Sequence, residues 1–368
     1  MAELYMEQIV PGNIAGIKPY EPGKPIAELE REYNISNAVK LASNENPAGF
    51  SPKVHEAVMH CLKDMNRYPE SFPFELASKL AEKFAVTQNN IVIGNGSDDI
   101  IALLAHGFLE PGQEAVMPLP SFLMYEISVR TAKGVPVMVP LKDFSTNIDG
   151  ILKAITPKTR MIFLTNPFNP TGSIITYDEF YAFMSDIPDN ILVIVDEAYI
   201  EFVRDDTVYN SMKKPLEDPR IVTLRTFSKA YGLAGFRVGY GIMDERVAEI
   251  LNRIRQPFNV NSLAQAAACA ALDDEKFLEQ TVAMVHEGID YLCESLCALG
   301  LECLPTQSNF MMVDVRTDAK NIFEKMLYQG VIVRALNSYG FDTFLRINAG
   351  THRENTRFAK ALESVLKK

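Results

Sequence analysis

The 368-residue sequence is poor in the features that mark several large functional classes. Five cysteines are too few, and odd in number, for a disulfide scaffold in a chain this long, which leads us to expect a reducing cytoplasm. Five histidines are scattered with no H-x-x-x-H pair, so a histidine-built metal site is not expected. Lys and Arg number 36 against 47 Asp and Glu, and the net charge of −11 lacks the basic footprint that nucleic-acid binding needs. No apolar run is long enough to cross a bilayer. The opening MAELYMEQIVPGNIAGI has no basic region leading into an apolar one, so no secretory signal is expected. Internal repeats and low-complexity tracts are missing too. Cys293, Cys297 and Cys303 do cluster in CESLCALGLEC, but the spacing matches no usual zinc pattern. The expectation there is buried structural thiols and no metal.

What is present is an ordinary apolar content of 47%, in a chain longer than single hydrophobic cores usually grow. One large and one small domain follow. Short β-branched runs bounded by turn residues recur along the first two thirds: NIVIGNG, EAVMPLP, VPVMVPL, MIFLTNP, LVIVDEA, IVTLRTF and RVGYGI. Helical patterns such as DDIIALLAHGFLEPG and TYDEFYAFMSDIPDN separate most of them. That alternation predicts an α/β fold with a seven-stranded, mostly parallel sheet sandwiched by helices. The Pro- and Gly-rich start reads as an arm over residues 1–30, and residues 46–283 as the large domain. Residues 31–45 and 284–368 make the smaller α+β domain, with the long helical stretch after residue 274 as the bridge.

In open α/β sheets ligands bind beyond the carboxyl ends of the strands, and four polar clusters stand at such ends: GNGSDD, NPFNPTG, DEAY and RTFSK. Their chemistry suits a pyridoxal cofactor. Lys229, desolvated, could form a Schiff base. Asp196, following LVIV, could keep a pyridine nitrogen protonated, and Asn166 and Tyr199 could donate to the phenolic oxygen. Gly96, Ser97 and Asp98 offer backbone N–H groups at a helix start, and Ser228 and Arg237 complete an anion site. Phe122, in LPSFLMY, is placed to stack on the ring. Singly each has an ordinary explanation as a turn, cap or core residue. Their joint occurrence in this order carries the reading.

NPFNPTG, VDEAY and TFSKAYGLAGFRVGY resemble the pyridoxal-phosphate-dependent aminotransferases of class I/II, fold type I. KPYEPGKPIAELERE, KLASNENPAGFSP, RYPE, GNGSDDII, GVIVR and FLRINAGTHRENTRF are similar to the branch acting on L-histidinol phosphate, with glutamate and 2-oxoglutarate as the other pair. The likeness runs from about Ile14 to the C terminus. It implies that Lys229 carries pyridoxal 5'-phosphate as a covalent Schiff base and moves the substrate proton. It implies that Asp196 pairs with the ring nitrogen, and that Thr226 lies near the phosphate beside Ser228, Arg237, Ser97 and the Gly96–Asp98 backbone. Tyr68 would reach the phosphate across a homodimer interface. Arg346 would hold the substrate carboxylate, Arg334 and Tyr20 the imidazole-phosphate end, and Asn44 the entrance. Many members have tyrosine where this chain has Phe122, which can still stack but offers no hydroxyl. An aromatic-amino-acid aminotransferase or a decarboxylase on the same scaffold remain the alternatives. Arg334 speaks against the first, since a phenyl ring needs no cation.

Overall fold

Two-residue alternation along the strands decides which side chains meet which layer. In the computed structural model, which describes residues 9–19 and 23–367, thirteen strands are formed. They are β1 (Val39–Lys40), β2 (Ile91–Gly94), β3 (Glu114–Leu119), β4 (Val135–Pro140), β5 (Thr159–Thr165), β6 (Leu192–Asp196), β7 (Ile221–Thr226), β8 (Gly239–Ile242), β9 (Glu302–Cys303), β10 (Phe310–Asp314), β11 (Val331–Ile332), β12 (Arg334–Ala335) and β13 (Phe344–Asn348). The seven apolar runs expected to be strands are β2 to β8, and all join one sheet in the order β2-β8-β7-β6-β5-β3-β4. Every neighbouring pair there is parallel except those of β8, which runs antiparallel to β2 and β7.

Along β5, Met161 and Phe163 enter one apolar cluster, while Ile162 and Leu164 enter the other. Strand β6 does the same, with Ile194 on the first side and Val193 and Val195 on the second. Both faces are therefore dry, which explains near-continuous apolar runs rather than alternating ones. Helices Ser97–Phe108, Leu123–Thr131 and Glu245–Ile254 supply the first face with residues such as Ile101, Val129 and Leu251. Helix Tyr177–Asp186 covers the second through Phe180 and Phe183. Next to it, helices Phe74–Phe84 and Ser262–Leu272 pack on β2 and β8 through Leu80 and Ala268.

The rest of the chain builds a four-stranded antiparallel sheet, β12-β13-β10-β9, and a parallel pair, β1 with β11. Residues near 40 therefore pair with residues near 332. Helix Glu275–Ala298 runs beside them, and its Val285, Ile289 and Leu292 join Phe310, Leu345 and Phe358 in one core. No helix among the described residues is long and apolar enough to cross a membrane.

Candidate active site

The ends of five strands of the large sheet meet at one cavity of about 420 Å³. Ser97 and Asp98 line it after β2, Phe122 after β3, Thr165 and Asn169 at the end of β5, Asp196, Ala198 and Tyr199 at the end of β6, and Thr226, Ser228 and Lys229 after β7. Ser43 and Glu45 close it from the segment after β1. A smaller recess of about 100 Å³ shares Ser43, Phe122, Asn169, Tyr199 and Lys229 with it and is completed by Asn44, Arg334, Tyr339 and Arg346.

Strand register explains the floor. Thr165 and Asp196 are lateral neighbours in the parallel β5–β6 pair, and parity turns both toward the side on which Tyr125 packs. Tyr125, fully buried, donates its hydroxyl to Asp196 Oδ2 at 2.7 Å, and Thr165 Oγ1 lies 2.9 Å from the tyrosine hydroxyl oxygen. Because the tyrosine proton is committed to the carboxylate, the threonine is the donor in the second bond. The Ala198 N–H gives Oδ1 a further bond at 3.2 Å. Burial pushes the Asp196 carboxyl up to about 6, against the opposing pull of the Tyr125 and Ala198 donors. A cation bonded to it would return it to the ionised form.

Lys229 Nζ donates to Ser43 O at 3.1 Å and lies 5.7 Å from the centre of the Tyr199 ring. Its pKa is lowered to about 8, first by burial, then by the nearby Arg346 and Arg237 charges, with Glu45 and Asp98 opposing. An amine so placed is partly neutral near physiological pH, which both nucleophilic attack and proton abstraction require.

The anion cradle sits at the start of helix Ser97–Phe108. Gly96 caps it with φ +85°, and a side chain there would run into the Arg237 guanidinium. Glycine thus lets Arg237 lie against the helix N-terminus, where backbone N–H groups and the helix dipole favour an anion. Arg237 Nη1 reaches Ser228 Oγ at 3.4 Å, and Nη2 reaches Asp98 Oδ2 at 3.3 Å. Burial raises the Asp98 carboxyl, with the Arg237 and Lys229 charges acting against it. Thr226 Oγ1 accepts from Ser228 N at 3.1 Å and fixes that turn.

On the other side, Arg346 donates from Nη1 to Asn169 Oδ1 at 2.6 Å and from Nη2 to Ala42 O at 2.8 Å. Its guanidinium lies 5.3 Å from the centre of the Phe310 ring, and its buried Nε has no partner among the described residues. Asn44 donates to the Tyr199 hydroxyl at 3.0 Å.

Most of the residues singled out from the sequence therefore line one connected space or the cradle beside it, but Asn166 and Tyr68 do not. Asn166 is corrected: its Nδ2 donates to Ile175 O and Tyr209 O, and its Oδ1 accepts from Ile175 N, so its amide is spent on holding the backbone. Asn169, three residues on, is the amide that lines the cavity. Tyr68 does not line the cavity of its own chain; it is 83% exposed and stacked on Phe258 with centroids 4.7 Å apart. Tyr20 lies outside the described residues. Sequence reasoning passed over Tyr125, Thr165, Asn169, Ser43, Glu45 and Tyr339. Tyr125 and Asn169 sit inside LPSFLMY and NPFNPTG, so the segments were visible and the facing was not.

Residues 36–362 match the family model for aminotransferase class I and II. A histidinol-phosphate aminotransferase of Desulfotalea psychrophila is 43% identical over 99% of this chain and 97% of its own. Histidinol-phosphate aminotransferase 2 of Carboxydothermus hydrogenoformans is 44% identical over 96% of this chain and 98% of its own. Among solved structures, that of the Sinorhizobium meliloti histidinol-phosphate aminotransferase, in complex with pyridoxal-5'-phosphate, superposes with a TM-score of 0.89. It shares 28% identity and covers 97% of both chains.

Proposed function

The chain belongs to the class I and II aminotransferases, and from that premise we propose that it transfers the amino group of L-histidinol phosphate to 2-oxoglutarate, with pyridoxal phosphate held on Lys229. The products are imidazole acetol phosphate and glutamate, a step of histidine biosynthesis. The observation that carries the substrate reading is the pair of guanidinium groups, Arg334 and Arg346, in the recess beside Lys229. Two cations suit a reaction whose substrates bring a phosphate in one half and carboxylates in the other.

The residues present fit pyridoxal phosphate. The Gly96 cradle would take its phosphate with Ser97, Ser228, Thr226 and Arg237, and the Asp196 carboxylate would pair with its ring nitrogen. Phe122 would stack on its ring, and Tyr199 and Asn169 would contact its phenolic oxygen, a role that passes from Asn166 to Asn169 because only the latter faces the cavity. When bound, the cofactor supplies an electron sink for the pair left on the substrate Cα once its proton is removed.

The chain's own groups do the rest. Lys229 would hold the cofactor and, with its amine free, would take the proton from the substrate Cα and return it. Its pKa of about 8 lets it accept and return that proton near neutrality. Asp196, oriented by Tyr125 and Thr165, holds positive charge at the ring nitrogen without reorganising during the step. Arg346, its plane set by Asn169 and Ala42, binds the carboxylate of glutamate or 2-oxoglutarate. Arg334 binds the phosphate of histidinol phosphate, joined by Tyr20, and Asn44 positions the Tyr199 hydroxyl.

The enzyme works as a homodimer in this reading, in the cytoplasm, with Tyr68 reaching the partner's phosphate cradle. Its support is the exposure of Tyr68, which stacks on the exposed Phe258, together with that of Met59, Leu62, Met65 and Phe74 close to it in sequence. The five cysteines, all free, suit a reducing compartment.

The cofactor-bound enzyme is mixed separately with histidinol phosphate, phenylalanine and threonine phosphate, and the half-reaction is followed by absorbance. Histidinol phosphate is expected to convert the cofactor fastest. Faster conversion by phenylalanine would assign an aromatic-amino-acid aminotransferase, and carbon dioxide released from threonine phosphate would assign a decarboxylase.

A further inference from the structure

Three of the five cysteines converge far from the chemistry. Cys293 and Cys297 stand one turn apart on helix Glu275–Ala298, so their side chains share a face. The chain then reverses at Gly300, with Gly300 N bonded to Cys297 O at 2.9 Å and Leu301 N to Leu296 O at 3.0 Å. It returns as β9, whose Cys303 pairs with Val313 of β10. The three Sγ atoms all lie within 4.8 Å of one another, those of Cys293 and Cys303 being 2.7 Å apart. Cys293 and Cys303 are half-buried against the core that contains Leu296 and Val313, while Cys297 is exposed. None of the three lines the active-site cavity.

We propose that Cys293, Cys297 and Cys303 form a second, non-catalytic site that binds one soft, thiophilic cation such as Zn²⁺ through three thiolates, with water completing the coordination. Zinc–sulfur bonds of about 2.3 Å place sulfurs around one ion roughly 4 Å apart, which side-chain rotation within the present cluster reaches. Three sulfur donors without a carboxylate or imidazole select soft cations over Mg²⁺ or Ca²⁺. Two of the donors are fixed on a helix and the third on a paired strand, so the site is preorganised, and the exposed Cys297 gives the ion its way in. The spacing C-x₃-C-x₅-C hides such a site because the third ligand arrives only when the chain folds back. A bound ion would staple the end of the long helix to β9, the edge strand of the sheet in which β12 and β13 carry Arg334 and Arg346.

The test titrates the fully reduced, oxygen-free holoenzyme with Cd²⁺, after chelator treatment, and reads the thiolate-to-metal charge-transfer absorption. One Cd²⁺ per chain is expected, displacing Zn²⁺ from the zinc-loaded protein, with a rise of several degrees in melting temperature. Cys297→Ser, at an exposed position, is expected to keep the fold and the aminotransfer half-reaction. It should weaken binding by more than the roughly 10–100-fold typical of losing a ligand's supporting partner. Cys303→Ser should do the same, and the double variant C61S/C269S should leave Cd²⁺ binding unchanged. Three results would overturn the site: no charge-transfer band, affinity equal to that of the triple variant C293S/C297S/C303S, or a Cys293–Cys303 disulfide that persists in reductant and leaves one thiol.

Discussion

On the sheet side of the cavity the polar groups are bonded to one another by the fold itself: Tyr125 to Asp196, Thr165 to Tyr125, Ser228 to Thr226, Arg237 to Ser228 and Asp98. On the opposite side, buried Asn44 Oδ1 and Arg346 Nε have no partner among the described residues. The difference separates two tasks. Groups that must stabilise charge during the reaction are oriented in advance, because reorganising them would cost free energy at each turnover. Groups that discriminate between ligands gain most from bonds made on binding, since a ligand that fails to satisfy a buried donor leaves about 1–3 kcal/mol unrecovered.

The largest expected effect breaks the sheet side outright. Lys229→Ala should slow the half-reaction by about 10⁴-fold, the upper range for a positioned acid–base group, and abolish borohydride trapping of the cofactor on the protein. In the unsubstituted apoprotein, covalent capture of pyridoxal phosphate should accelerate as pH rises through about 8 and then level off. The sign follows from the lowered pKa: below it Lys229 is an ammonium without a lone pair, and above it the neutral amine attacks. Capture still accelerating well above pH 9 would mean that Lys229 is not desolvated.

An intermediate effect is expected on the ligand side. Arg334→Ala should raise KM for histidinol phosphate roughly 10–150-fold, the worth of a hydrogen bond to a charged group. The rate with phenylalanine should hardly move. An equal loss with both substrates would place Arg334 in the scaffold instead.

The smallest effect sharpens the boundary between the sides. Tyr125→Phe removes one donor to Asp196 and should lower kcat about 5–10-fold, with KM nearly unchanged. The Asp196 carboxyl of the apoprotein should then titrate above about 6, because the bond that opposes its burial is gone, as carbonyl-stretch infrared difference spectra would record. A change confined to KM would put Tyr125 on the ligand side.

The large sheet was legible because its strands are dry on both faces, and dryness appears in the sequence as runs such as MIFLTNP and LVIVDEA. Lys229, Asp196 and Arg237 were legible because ionisable groups flanking such runs must be accounted for. Facing was not legible. Asn166 and Asn169 occupy equivalent-looking places in NPFNPTG, and only backbone direction decides that one holds Tyr209 O while the other meets Arg346. Tyr125, passed over in LPSFLMY, is core; its hydroxyl matters because register puts Thr165 beside Asp196 above it.

By itself the sequence determined the layer order, the strand ends that carry chemistry and the lysine at their centre, because hydrophobic periodicity and strand-end polarity are local properties of the chain. Tertiary structure alone decided which amide of NPFNPTG faces the cavity, that Arg334 and Arg346 flank one recess, and that Cys303 returns to Cys293 and Cys297. These outcomes depend on contacts between segments as much as 304 positions apart, as in the bond from Arg346 to Ala42, and no pattern of spacing encodes them.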